Sequence, residues 1–302
     1  MSEMMSGKQL LAVAEPPSLQ RQVDGRSLRS ILLSSLAWVC ALLAAVPLTS
    51  VLYMLITQGG ARIGMEVLTE LPPAGFEMGG GFGNALAGTF VMVGIAALIA
   101  IPLGILAAIF LAELGPASKL ANTARFAAKT LTGLPSILAG VFAYALVVLT
   151  TGTYSAPAGG IALALLMLPI VVLTAEEAMN MVPKIMKDAA YGMGCTRSQV
   201  IWKVVLPTGL PSILTGVMLA VARASGETAP LLFTALFSNY WLFDDGKLEV
   251  MNPTASLAVL IYNFSGQPFE NQIELAWAAS LVLVLIVLVV NVVSRFLGRH
   301  KY

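Results

Sequence analysis

The sequence predicts an all-α, polytopic membrane protein with six transmembrane helices, and three observations lead there. Hydrophobic residues make up 58% of the 302, charged residues 11%, and mean hydropathy is +0.85, a balance foreign to soluble domains. Five stretches, residues 31–61, 78–112, 130–175, 204–222 and 275–294, contain no Asp, Glu, Lys or Arg. They lack the period-two alternation of membrane strands, which argues against a barrel. Crossing about 30 Å of hydrocarbon takes roughly 20 apolar helical residues, so each stretch is long enough for a span.

Residues 1–29 hold no long apolar segment of the signal-peptide kind and read as a cytoplasmic tail, followed by a permease domain over residues 30–302. The first two spans fall near residues 31–57 and 84–112. The run from 130 to 175 holds two, near 130–150 and 160–182, because Thr151 to Gly160 is rich in Gly, Pro and small polar residues that mark a turn. The last two lie near 208–237 and 273–296. Lys and Arg set the orientation. Lys8, Arg21, Arg26 and Arg29 precede the first span, Lys119, Arg125 and Lys129 lie in the second loop, and Lys184, Lys187, Arg197 and Lys203 in the fourth. Arg295, Arg299 and Lys301 close the chain, whereas the alternate loops hold only Arg62 and Lys247, so both termini read as cytoplasmic.

Other chemistries find little support. The net charge of +1 offers no clustered basic face for nucleic acid. Cys40 lies within a span and Cys195 in a cytoplasmic loop, so the topology separates them. There is no Gly-x4-Gly-Lys-Ser/Thr, which places any ATP hydrolysis, with its Mg2+, on another subunit. The glycines from Met78 to Asn84 read as a flexible start to the second span. An intramembrane hydrolase lacks its groups: the single His300 is at the C-terminus, and no pair of intramembrane acids is present. No cofactor is expected in this chain.

The fourth loop runs Asp188, Ala189, Ala190, three residues, Gly194, nine residues, Val204, Val205, Leu206, Pro207. Ala189 and Ala190 favour helix, and Gly194 permits the positive φ that ends a short helix and turns the chain. This pattern resembles the EAA loop of ABC-importer permeases, with Asp188 for the usual Glu and Val204 for the usual Ile. The resemblance implies the type I importer fold and a coupling loop, about residues 176–207, that docks in a groove of a cytoplasmic ATPase.

Arg223 lies about 13 residues into the fifth predicted span, about 20 Å along it and near the bilayer midplane. A charge there costs at least about 2.5 to 3.5 kcal/mol, so it faces a partner or a watery path. Glu227 stands one turn on, on the same face. A structural ion pair and a gate for an oxyanion are both open readings. In the second, the guanidinium fork binds the anion's oxygens, while Glu227 accepts a hydrogen bond from a hydroxyl of the anion or holds Arg223 between passages. Thr228 belongs to the same site, and Gly226 and Pro230 are expected to loosen the helix. At the start of the third span Gly133, Pro135 and Ser136 combine flexibility, a kink and a hydroxyl; a kink alone and a place on the path are equally open.

Two stretches, Ala222 to Ala235 and Gly133 to Ile137, resemble the PstA branch of these permeases, which carries phosphate, and the likeness extends over most of residues 80–296. It implies a PstC-type second permease subunit, two PstB-type ATPase subunits and a PstS-type external phosphate-binding protein, in a bacterial cytoplasmic membrane with lipid around the helices. Some relatives have an Arg near Leu173; this chain lacks it, so a second cationic relay would come from the partner. The alternatives are a permease for sulfate, molybdate or phosphonate, or a passive anion channel.

Overall fold

The structure, a computed structural model, describes residues 25–244 and 247–299. α1 (Gly25–Met54) continues through a wide turn, Leu55–Gly59, to Arg62. As far as Leu52 it belongs to a compact unit of its own, and its described side chains there, from Leu28 on, are all exposed. An apolar helix uncovered on every side suits lipid or another chain, not water.

The second unit starts at Tyr53. A short helix, α2 (Met65–Thr69), precedes α3 (Gly83–Ile109), which extends through Leu114. Next come α4 (Lys119–Thr132), α5 (Ser136–Ala143, carried on to Thr151) and α6 (Ala156–Asn180). On the expected cytoplasmic side lie α7 (Lys184–Gly192) and α8 (Arg197–Val200); α9 (Leu206–Ser225) and α10 (Ala229–Thr234) follow. A two-residue ladder joins β1 (Phe243–Asp244) to β2 (Lys247–Leu248) before α11 (Leu257–Ser265) and α12 (Glu270–Arg299) end the described chain.

Among the described residues, five stretches are long and apolar enough to cross a membrane: Leu28–Arg62, Gly83–Leu114, Ala156–Asn180, Arg197–Ser225 and Glu270–Val293. A sixth crossing needs α4 and α5 taken together, bent by 106°. The predicted third span, 130–150, therefore starts late. Thr130 to Thr132 finish α4, an amphipathic helix carrying Lys119, Arg125 and Lys129, and only Ser136–Thr151 is left to cross, about 24 Å of helix. The fifth span differs as well. The helix expected over 208–237 stops at Ser225 and resumes at Ala229.

The core lies between α3, α6 and α9, where Met92, Ala96, Met167, Val171, Ile213 and Ala220 are buried together. Membrane helices gain little from apolar burial against each other, so close backbone approach matters more. Gly216 of α9 supplies it, for a Cβ there would collide with Thr174 of α6. A second cluster, with Val67, Phe82, Leu257, Leu260, Phe264 and Leu275, closes the expected outer end. Polar ties finish that end: Thr89 Oγ1 accepts from Leu257 N at 2.9 Å, and Asn84 Nδ2 donates to Ser238 O at 2.7 Å.

Candidate transport path and coupling loop

The break after α9 positions the intramembrane charge. At Gly226 the helical ladder gives way to two shorter-range bonds, Gly226 N to Arg223 O at 3.1 Å and Glu227 N to Ala224 O at 3.3 Å. Gly226 adopts φ −98° and ψ 0°, an ordinary right-handed value, so it serves by small size and low helix preference and not by a left-handed turn. Pro230 then occupies the first turn of α10, where a missing N–H costs no hydrogen bond. Gly226 and Pro230 thus do more than loosen a helix: one ends it and the other opens the next.

Arg223 Nε lies 3.3 Å from Glu227 Oε1, and their side chains are 42% and 16% exposed. Gly216 abuts Thr174, and Ser155 N donates to Thr234 O at 3.0 Å, so Arg223 lies between these levels, alongside the middle of α6. The guanidinium is held by one carboxylate contact and turns much of its surface outward. The hydroxyl of Thr228, at the head of α10, makes no side-chain bond among the described residues. Ser136 heads α5 four residues before Gly140, and Gly140 packs on Pro230; a Cβ on Gly140 would come 2.6 Å from Pro230 Cα. Ser136 thus shares the α5 face turned to α10, but no hydrogen bond joins it to Arg223 or Glu227 among the described residues. Gly133 and Pro135 form the corner between α4 and α5, a sharper feature than a kink within a span.

In the fourth loop the turn is where the sequence places it. Gly194 has φ +84°, Gly194 N donates to Tyr191 O at 2.9 Å, and Cys195 N donates to Ala190 O at 3.1 Å. These two bonds make a Schellman cap. Thr196 and Gln199 then cap α8 reciprocally, a capping box that sequence reasoning missed although Thr-x-x-Gln signals it. The paired alanines divide their tasks: Ala190 is buried in the core while Ala189 and Asp188 face outward. The outer surface of α7 and its C-cap displays Ile185 and Met193, 78% and 79% exposed. Leu206 and Pro207 do not interrupt the chain here. They sit within one helix, Arg197–Ser225, and the wide turn Ile201–Val205 just before them absorbs the missing proline donor.

Two ion pairs, absent from the sequence reading, tie this side together. Lys187 Nζ lies 2.5 Å from Glu113 Oε1, and Arg197 donates to the Glu113 carbonyl. Arg125 Nε donates to Glu176 Oε1 at 2.5 Å, and its other nitrogens reach Leu111 O at 2.8 Å and Pro116 O at 3.0 Å. Partners 51 and 74 residues apart leave no local signal.

A helical membrane core with an exposed intramembrane cation, and a capped helix–turn–helix beyond the spans, defines a membrane permease. Residues 100–301 match the family described as binding-protein-dependent transport system inner membrane component. The chain is 40% identical over 276 residues to the phosphate transport system permease protein PstA of Haemophilus influenzae, covering 91% of this chain and 96% of that one. It is 40% identical over 251 residues to the protein of the same name from Yersinia pestis, with 83% of each covered. In fold it is similar to a chain of the bacterial alginate ABC transporter solved with an alginate pentasaccharide-bound periplasmic protein, at a TM-score of 0.56 and 17% identity over 90% of this chain and 93% of that one. The chain belongs to the binding-protein-dependent inner-membrane permeases, in their PstA branch.

Proposed function

We propose that this chain is the half of an ATP-driven importer that passes inorganic phosphate into the cytoplasm, with Arg223 as the cation that meets the anion in mid-membrane. The exposed guanidinium at the α9–α10 break carries the reading. A buried structural pair hides both charges; here the arginine is 42% exposed and keeps donors to spare beyond its one carboxylate partner. The names of the 40% identical relatives supply the substrate class. The likeness to PstA-type permeases supports the remaining assembly: a PstC-type permease to complete the path, two PstB-type ATPases that bind ATP and Mg2+ and receive α7, and a PstS-type protein outside. Both termini lie in the cytoplasm; of the tail over residues 1–29, residues 1–24 lie outside the described residues, as do 300–302, and 25–29 already belong to α1.

The test is phosphate uptake by vesicles containing the reconstituted complex, with ATP inside, and competition by sulfate and molybdate. ATP-dependent uptake that excess sulfate leaves intact is the expected result. Uptake that runs without ATP would make the protein a channel, and preferential uptake of sulfate would reassign the substrate.

A further inference from the structure

We propose that a crevice of about 350 Å³ between α6, α9 and α12 is the inner vestibule through which the anion leaves after Arg223, bound weakly by hydroxyls and pushed onward by Glu177. This rests on the anion-transport reading above. Thr174 and Glu177 of α6, Ser212 and Thr215 of α9, and Asn291 of α12 line the crevice. Thr174, Thr215 and Asn291 bond carbonyls of their own helices, but Ser212 and Glu177 have no such partner among the described residues, and an unpaired polar group costs free energy against lipid.

Two observations link the crevice to the charged pair. Ser212 and Arg223 are eleven residues apart on α9, which returns the helix to within about 20° of the same face and separates them by about 16 Å along it. Ser212, Thr215, Leu219 and Arg223 are all exposed, so they form one uncovered stripe from the middle of the span toward the cytoplasmic end. The second observation concerns hydrogen bonding. Thr215 Oγ1 donates to Pro211 O at 3.0 Å and Thr174 Oγ1 to Ile170 O at 2.7 Å, which leaves their oxygens free only to accept until the hydroxyls rotate. Ser212 and Glu177 make no side-chain bond among the described residues. An unpaired hydroxyl thus stands on the α9 face that carries the arginine, and an unpaired carboxylate on α6 lines the same crevice.

Their chemistry suits an exit. Hydroxyls donate to anion oxygens without the full charge that would trap the anion. The Glu177 carboxylate accepts from a phosphate hydroxyl but repels the net negative charge, so residence is short and return from the cytoplasm is opposed.

The test uses the assembled complex in inside-out vesicles, with Cys40→Ala and Cys195→Ala removing the native thiols. Single cysteines are introduced as Ser212→Cys, Thr215→Cys and, on the exposed apolar face of α3, Leu98→Cys. A charged, membrane-impermeant methanethiosulfonate is the probe. Ser212→Cys and Thr215→Cys should react at least about tenfold faster than Leu98→Cys, with inorganic phosphate slowing them at least about threefold. Adding Glu177→Gln to Thr215→Cys should lower the phosphate concentration needed for that protection severalfold. Rates equal to that of Leu98→Cys mean a lipid-filled crevice and overturn the proposal; so does reactivity that phosphate leaves unchanged in vesicles whose parent complex transports phosphate. A parent complex that takes up no phosphate refutes the substrate instead, while the rate against Leu98→Cys still decides whether the vestibule is watery.

Discussion

Lys187 of α7 and Glu113 at the inner end of α3 meet at 2.5 Å, with side chains only 16% and 10% exposed. The helix proposed to meet the ATPase is thereby fastened to a membrane span by a largely dehydrated ion pair. Removing one partner of such a pair typically costs about 3 to 5 kcal/mol, because the other charge is left without compensation. Lys187→Met should lower the thermal midpoint of the solubilised complex and uncouple ATP hydrolysis from uptake. Lys187→Met with Glu113→Leu should regain most of the stability but not the coupling. Thermal unfolding and ATPase assays on the single and double variants measure both.

At Gly194 the backbone has φ +84°, and a Cβ would meet nothing within 4 Å, so any penalty for substitution is conformational and not steric crowding. Gly194→Asn should be tolerated. Gly194→Val should lose ATPase association while the protein still reaches the membrane, since a side chain in the left-handed region costs about 1 to 2 kcal/mol and more when branched. Co-purification of the ATPase with each variant reads the difference; equal association would show that the turn survives without glycine.

The charged pair gives a three-way test. Arg223→Gln should abolish phosphate uptake with assembly preserved, and Arg223→Lys should restore little, because a point charge lacks the planar fork. Glu227→Gln should retain uptake at a reduced rate with weaker discrimination against sulfate. If the pair is purely structural, both single changes lower assembly and the double Gln variant restores uptake. Transport per assembled complex in all four variants separates these outcomes.

Gly140 and Gly133 should respond in opposite ways, although both lie near the α4–α5 corner. Gly140→Val forces a side chain into the Pro230 backbone, 2.6 Å from where its Cβ would sit, and overpacking of this kind costs about 1 to 3 kcal/mol. Gly133 has φ −91° and its nearest obstacle is Thr130 O at 3.6 Å, so Gly133→Ala should be nearly silent. Thermal midpoint and uptake of the two variants check the contrast.

What the sequence reveals follows from the range of the interactions involved. The turn at Gly194 and the Arg223–Glu227 approach are local, set within a few residues, and both are present in the structure. The break between Ser225 and Ala229 is only half legible: Gly226 and Pro230 signal a loosened helix, but nothing local says that the chain will stop there and that α10 will bond to Ser155 instead. The corner at Gly133 and Pro135 reads only as a kink, since its 106° depends on α4 finding Glu176 for Arg125. Ala190 shows the same limit. An Ala-Ala pair predicts helix, but which methyl turns inward depends on the packing of α7 beneath the core.

The interruption at Gly226 also determines how far a push can travel. A stiff rod displaced at one end moves throughout its length, whereas a rod with a hinge moves only as far as the hinge. The helix Arg197–Ser225 is such a rod on the cytoplasmic side, and α10 beyond the hinge is moored to the outer shell through Ser155 and through Thr254 N, which donates to Ala235 O at 3.0 Å. Arg223 sits on the last turn of that rod, and Glu227 on the link itself. On the proposed coupling, motion entering from the ATPase side would change the grip of one charge on the other before it reached α10.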